Sequence, residues 1–351
     1  MKKLLILFMV LLNTTLFAQD TSNPVTTTAL PFLNINTNSR MSAMGDISVV
    51  SSSFYKDAGL FHNPALLAKK GRYAGASFTN VPWLENMSDD IALTNFNAYY
   101  SINAKNTIGY SYKQLDMGKI FMEDEQGQIL FSAEPRDFYH QFSYAHTVNE
   151  HFSFGAGIKY IKSDLDNMAT YMNFKNVNTF AINIGAEYDR SYSISNNSKL
   201  NAHVGMAFSN IGPKIKYSDE PEMEKTSIPS LFGIGILLNP DFYLSEKLRL
   251  NADLAYQADK TLVSSESKEL IHKLGSELRL NYEDILYVAL RLGTLMEPES
   301  RGSGFNTSGF GIGVYGFVID YKKIKSDSNS IDGTTAFTFA YRTNLEKLFR
   351  F

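Results

Sequence analysis

The feature that most constrains this chain is an alternation of apolar and polar residues, repeated in stretches of about ten residues over most of its length. Residues 151–162 put Phe152, Phe154, Ala156, Ile158 and Tyr160 on one face and Ser153, Gly155, Gly157 and Lys159 on the other. Residues 247–258 oppose Leu248, Leu250, Ala252, Leu254 and Tyr256 to Arg249, Asn251, Asp253 and Gln257. Phe180, Ile182 and Ile184 likewise alternate with Thr179, Asn183 and Gly185, and Phe337, Phe339 and Tyr341 with Thr338 and Arg342. A period of two is that of a strand. A soluble sandwich alternates too. Here, however, aromatics gather at strand ends (Tyr99, Tyr100, Tyr110, Tyr112, Tyr282, Tyr287), and small or charged residues hold the opposite face. That is the pattern of an outer-membrane barrel, apolar toward lipid, polar toward a lumen, with aromatic girdles at both interfaces. Phe180, Ile182, Leu248, Leu250, Phe337 and Phe339 are expected to face lipid, and the terminal Phe351 suits such a barrel.

Strands are read near 71–80, 91–101, 106–117, 137–147, 151–162, 177–189 and 199–217, then near 228–238, 247–258, 269–281, 284–295, 307–322 and 334–343. Their number is odd, whereas bacterial single-chain barrels have even strand counts. Short connections (101–106, 148–150, 281–284) alternate with longer ones (118–136, 163–176, 218–227, 259–268) until the last stretch. Splitting 307–322 at Gly316, which tolerates the positive φ of a two-residue hairpin, restores both alternation and parity. The expected fold is all-β: a 14-stranded antiparallel transmembrane barrel over 71–351, with the longer loops outside the cell.

Residues 1–18 read as a signal peptide. Lys2 and Lys3 precede an apolar run at 4–12, and Ala18 offers a small residue for cleavage. That run is too short to span a bilayer, so export is expected rather than anchoring. Its removal takes both lysines and leaves 31 basic against 36 acidic residues, a net charge of −5.

Composition narrows the chemistry. There is no Cys, which excludes a disulfide scaffold, thiolate metal sites, a thiol nucleophile and a lipidated amino terminus. A mean hydropathy of −0.18 excludes a helical membrane bundle. A weakly acidic chain without a basic run is not a nucleic-acid binder. The six histidines are dispersed, without H-E-x-x-H or a pair at metal spacing, and G-x-S-x-G is absent. No enzyme activity, cofactor or metal is expected. Lys159, Arg249, Asp253, Glu277, Arg279 and Arg291 fall on the lumen face and are expected to be a mutually paired interior rather than a reactive site.

Residues 19–70 break the strand pattern. They are polar and irregular, yet Leu30, Phe32, Leu33, Met41, Met44, Phe54, Tyr55, Leu60 and Phe61 require burial. A barrel this wide must be filled or it conducts water, so this segment is expected to fold inward as a hatch. Arg40 and Asp46 are candidates to pair with lumen charges, and Asn63 to serve a turn before Pro64.

The stretch ALPFLNINTNSRMSAMGDISVVSSSFYKDAGLFHNPALLAKKGRYAGASFTNVPWL resembles the hatch and first strand of FadL-like barrels, and among them the PorV family of the type IX secretion system. The matching pieces include Pro31-Phe32-Leu33, Ser39-Arg40, Met44-Gly45-Asp46, His62-Asn63-Pro64-Ala65 and Pro82-Trp83-Leu84. Further on, Ser209-Asn210-Ile211-Gly212-Pro213-Lys214-Ile215 and Ile228-Pro229 fall where that family has similar residues. Where the family is glycine-rich before the Met-Gly-Asp motif, this chain has Ser42-Ala43. The resemblance implies a protein at the outer membrane, in contact with its lipids, that binds the C-terminal signal domain of type IX cargo. Such proteins receive cargo from the SprA translocon and pass it to a surface attachment complex containing PorU, PorZ and PorQ. A FadL-type channel for hydrophobic small molecules is the other reading, and the charged inward positions weigh against its apolar path. Trp83, the only Trp, lies with Pro82 and Leu84 in a loop expected to face outside, either as a headgroup-level anchor or as a partner contact.

Overall fold

The structure is a computed structural model that describes residues 28–52, 56–68, 71–263, 270–283, 285–298 and 304–348. The expected signal peptide 1–18, Phe54, Tyr55 and Phe351 lie outside the described residues. The first strands are β1 (Tyr73–Pro82), β2 (Ala92–Ser101), β3 (Asn106–Asp116), β4 (Ile120–Glu123) and β5 (Ile129–Ala133). There follow β6 (Arg136–Thr147), β7 (Phe152–Asp164), β8 (Val177–Ser195), β9 (Ser198–Ile211), β10 (Leu231–Tyr243) and β11 (Leu248–Thr261). The chain ends with β12 (Ile271–Tyr282), β13 (Leu286–Met296), β14 (Phe305–Val314), β15 (Phe317–Ser326) and β16 (Thr335–Asn344).

All but β4 and β5 join one closed antiparallel barrel of 14 strands, in which β1 returns to pair with β16 through Phe78↔Phe339. Gly316 does separate β14 from β15: it has φ 89°, and Tyr315 before it has φ 50°. A two-residue turn with both central residues at positive φ matches the twist of the strands it joins. Phe180, Ile182, Phe337 and Phe339 are exposed on the outer wall, and Leu248 and Leu250 share that face. Their inward neighbours Thr179, Asn251, Asp253 and Thr338 are buried.

β8 and β10 run on to Ser195 and Tyr243, past the expected 189 and 238, and three further differences have a local reason. The strand expected to run to 217 stops at Ile211, because Gly212-Pro213 follows and Pro213 has no N–H for the ladder. Pro229 similarly delays the next strand, expected from 228, until Leu231. Within 118–136, expected to be a loop, β4 and β5 form a separate hairpin beyond the mouth of the barrel. The long connections all leave one end of the barrel and the short ones the other.

Candidate functional site

Residues 28–52 and 56–68 fill the lumen from the long-loop mouth down to a cavity at the short-turn end, in layers of different chemistry. At the long-loop mouth the layer is apolar. Leu30, Phe32 and Leu33 are buried against Val81, Leu93, Tyr139 and Ile161 of the wall. Ala29 N–H donates to Ser227 O at 3.0 Å, so the described chain starts at this end. Pro82 ends β1, and Trp83 is half-buried on the same internal cluster with Ile91, Met117 and Tyr217. Leu84 follows in the left-handed region, φ 56°. Trp83 thus leans on the hatch and roofs it.

Beneath lies a ring of ammonium groups. Lys113, Lys159 and Lys322 are each at most 1% exposed. Lys113 donates to the carbonyls of Phe32 (2.7 Å) and Ile35, Lys322 to Ser42 Oγ (2.8 Å), and Lys159 to Asn210 Oδ1 (2.5 Å). Asn210, held at φ 55°, also donates to Asn34 Oδ1 at 3.0 Å and accepts no less specific a role in the wall, its N–H bonding Asn183 Oδ1 at 2.8 Å. These acceptors are neutral, on the hatch for Lys113 and Lys322 and on the wall strand β9 for Lys159.

The next layer is ionic. Asn38 caps the short helix Ser39–Ser42 by accepting from Met41 N–H at 3.0 Å, and this turn aims Arg40 at the wall. Arg40 Nη2 meets Asp253 at 2.6 Å and Nε meets Glu277 at 3.0 Å. Glu277 also accepts from Arg279 (2.9 Å) and Arg291 (2.6 Å), and Arg291 reaches Asp320 at 2.7 Å. Every one of these side chains is buried, so each charge depends on the others for the solvation it has lost. Arg40 therefore pairs as expected, as do Asp253, Glu277, Arg279 and Arg291. Asp46 does not: among the described residues it makes no ion pair, and its Oδ1 accepts no hydrogen bond. Arg249 stands apart near the short turns, 3.7 Å from Asp241.

The remaining contacts are of backbone on backbone. Gly45, φ 71°, donates to Thr307 Oγ1 at 2.9 Å and presses on β12 and β13, where a Cβ would come within 2.6 Å of Thr294 O. On those strands Gly275 and Gly293 leave the room that Met44 and Gly45 occupy. Asn63 Oδ1 accepts from Ala65 N–H at 3.1 Å, the turn expected before Pro64, while its Nδ2 donates to Val49 O at 2.7 Å. Pro64 and Ala65 rest on Gly155, where a Cβ would lie 2.5 Å from Pro64 C, and Asn63 rests on Gly185. Wall glycines and hatch motif are one fit. The wall lysines and glycines are the residues that sequence reasoning did not connect to the hatch. Their signal was present in the inward register of each strand, which places Gly155, Gly185, Gly275 and Gly293 on the lumen face.

Below the hatch, at the short-turn end, a cavity of about 450 Å³ is lined by Tyr73, Arg249, Asn281, Tyr287 and Arg342. Among the described residues no cluster of His, Asp and Glu could hold a metal ion.

A closed barrel, apolar outside and occupied by its own amino-terminal segment, defines the class: an outer-membrane β-barrel with an internal hatch. The sequence model of the family described as Type IX secretion system protein PorV matches residues 18–267. The chain belongs to that family, and is an outer-membrane protein of the type IX secretion system. Among solved structures it is similar to the toluene transporter TbuX of Ralstonia pickettii, at 12% identity over 87% of this chain and 97% of that one, with a TM-score of 0.44. It is similar also to a FadL homologue of Pseudomonas aeruginosa, at 12% identity over 92% and 100%, TM-score 0.44. The CymD monoaromatic hydrocarbon channel matches at 10% identity over 89% and 98%, TM-score 0.45. A search of curated proteins finds no match.

Proposed function

We propose that this protein is a non-enzymatic carrier which binds the C-terminal signal domain of type IX cargo on its long-loop end. It receives cargo from a SprA-type translocon and delivers it to a PorU/PorZ/PorQ-like attachment complex. On this reading residues 1–18 direct export, and the long loops face the cell surface. The observation that carries it is the filled lumen. Arg40 ties the hatch to Glu277 and its partners on one wall, and the hatch backbone is seated on wall glycines, so the working surface is the mouth rather than a bore. A channel for hydrophobic molecules would instead need an apolar path through that ionic layer. Pro82, Trp83 and Leu84 supply part of the mouth, and the β4–β5 hairpin stands beside them.

Affinity purification of the tagged protein from detergent-solubilised membranes tests this. Chains sharing a C-terminal signal domain are expected in the eluate, with less recovered by Trp83→Ala. An eluate free of such chains, with toluene flux through reconstituted vesicles, would favour the channel.

A further inference from the structure

Cations on the outer wall are held in two ways at the long-loop end. On β6 and β7, Arg136 and Lys162 face outward with Asp164 between them, 3.9 Å from Arg136 and 2.9 Å from Lys162. On β15, Lys323 and Lys325 face outward with no carboxylate between them. Among the described residues neither makes an ion pair or a side-chain hydrogen bond. The register sets Ser308 and Thr335 beside Lys323, and Asn306 beside Lys325, all of them neutral. Asp320 points into the lumen at Arg291. Asp327 and Asp332 belong to the loop above, where Asp332 accepts from Ser326 N–H at 2.9 Å. Strand alternation leaves the two ammonium groups on one face, about 7 Å apart along the chain, where they repel.

Beneath the lysines the same face is graded. Tyr321 sits between Phe310 and Phe337, with ring centroids 5.1 and 5.0 Å away. The row below is Ile312, Ile319 and Phe339, all exposed. β15 has ten residues, just enough to cross the hydrocarbon, so its last four place the lysines at headgroup level. A girdle accounts for the aromatic row. It does not account for a doubled cation that lacks an acid, when the neighbouring rim supplies one. Hydroxyls, a carboxamide and two ammonium groups directly above an apolar wall match an anion joined to acyl chains. At this depth of an outer membrane that anion is the phosphate of the outer-leaflet glycolipid.

We propose that the outward face of β14, β15 and β16 binds the phosphorylated headgroup of lipid A. Lys323 and Lys325 donate to one phosphate, Ser308, Thr335 and Asn306 to the oxygens around it, and the acyl chains lie on Phe310, Ile312, Ile319 and Phe339. The inference rests on the reading that the long loops face the cell surface, and adds which wall holds a glycolipid there.

The test titrates the detergent-solubilised full-length protein with bisphosphorylated lipid A, and with the same lipid stripped of phosphate, by native mass spectrometry. The phosphorylated form is expected to bind more tightly, and less so as salt is raised. Lys323→Gln combined with Lys325→Gln should leave a heat-modifiable barrel that binds it about fivefold more weakly, the size of two exposed charge contacts. Lys260→Gln, four strands away on β11, should leave the affinity unchanged. Equal affinity for the two lipids, or an unaltered affinity in the double variant, would overturn the proposal. So would binding of phosphatidylglycerol as tight as that of lipid A, or displacement of lipid A by an equal concentration of inorganic phosphate. An epitope inserted at Gly127 that antibody cannot reach on intact cells would sink the orientation and the site with it. A reachable epitope without retention of lipid A would sink the site alone.

Discussion

Two sides of the hatch meet the barrel by different physics. Toward β11, β12, β13 and β15, contact is made by charge: one hatch side chain, Arg40, enters a wall network of Asp253, Glu277, Arg279, Arg291 and Asp320. Toward β7 and β8, contact is made by shape: Asn63, Pro64 and Ala65 lie on Gly155 and Gly185 with no ion between them. The ionic side tolerates small displacements but not the loss of a member, because a stranded buried charge keeps its desolvation cost. The shape-fitted side tolerates loss of a side chain but not the gain of one, because the neighbour is backbone and cannot rotate away. Together they describe a segment built in as core.

Removing both sides at once has the largest effect. Deletion of residues 21–68 should turn a closed barrel into a conducting one in planar bilayers, since the wall alone encloses an open, polar lumen. Unchanged conductance from a correctly inserted barrel would show that neither kind of contact matters to closure.

Breaking the ionic side alone comes next. Arg40→Met leaves Glu277 with Arg279 and Arg291 but strips Asp253 of its guanidinium. A loss of about 3 kcal/mol is expected in a thermal or denaturant titration of the detergent-solubilised barrel, the lower end for breaking a buried pair. Arg40→Lys should recover only part of it, because an ammonium cannot serve two carboxylates as a planar fork does. Full stability in Arg40→Met would place the charge contact outside the forces that seat the hatch.

Overfilling the shape-fitted side is expected to cost less. Gly155→Ala sets a methyl 2.5 Å from Pro64 C, and the hatch must lift by a fraction of an ångström. About 1–3 kcal/mol is lost on the same titration. Gly127→Ala, in open space at the hairpin tip, carries no such clash and serves as the control for glycine loss, its φ of 75° alone costing something.

These sides also differ in how far they were legible in the sequence. Strand period, loop alternation and the Gly316 turn sufficed for the barrel, because a two-residue repeat and a positive φ are local properties. Arg40 and its acids were legible as types, since buried charges require partners, but not which acid meets which. Asp46 shows the limit: it sits in the same motif as Gly45 and, among the described residues, makes no direct ion pair, because which wall charge comes within reach is set by distant strands. The glycine fit was not legible, because a glycine on an inward position reads only as small until the backbone it admits is known. The β4–β5 hairpin was missed since it pairs with nothing but itself.

The smallest effect lies at the mouth, where neither regime operates and contacts are exposed. Asp90 accepts from Ser88 Oγ at 2.5 Å and from Lys119 N–H at 2.7 Å, which ties the loop 83–91, carrying Trp83, to the base of the hairpin. The Ser88 hydroxyl first, and then the Lys119 amide, hold the Asp90 carboxyl below its ordinary value of 3.8. A carboxyl depressed in the folded state contributes stability that is fully present above its ordinary value and lost as pH falls through the lowered one. Between pH 7 and pH 5 the tie is therefore unchanged; below about pH 4 it loosens. The hydrogen-exchange protection of the Lys119 amide should be flat over the first interval and fall over the second, and Asp90→Asn should show a lower protection with no acid step. The same acid step in Asp90→Asn would assign the change to another carboxyl, and the loop and hairpin would then be joined by packing rather than by Asp90.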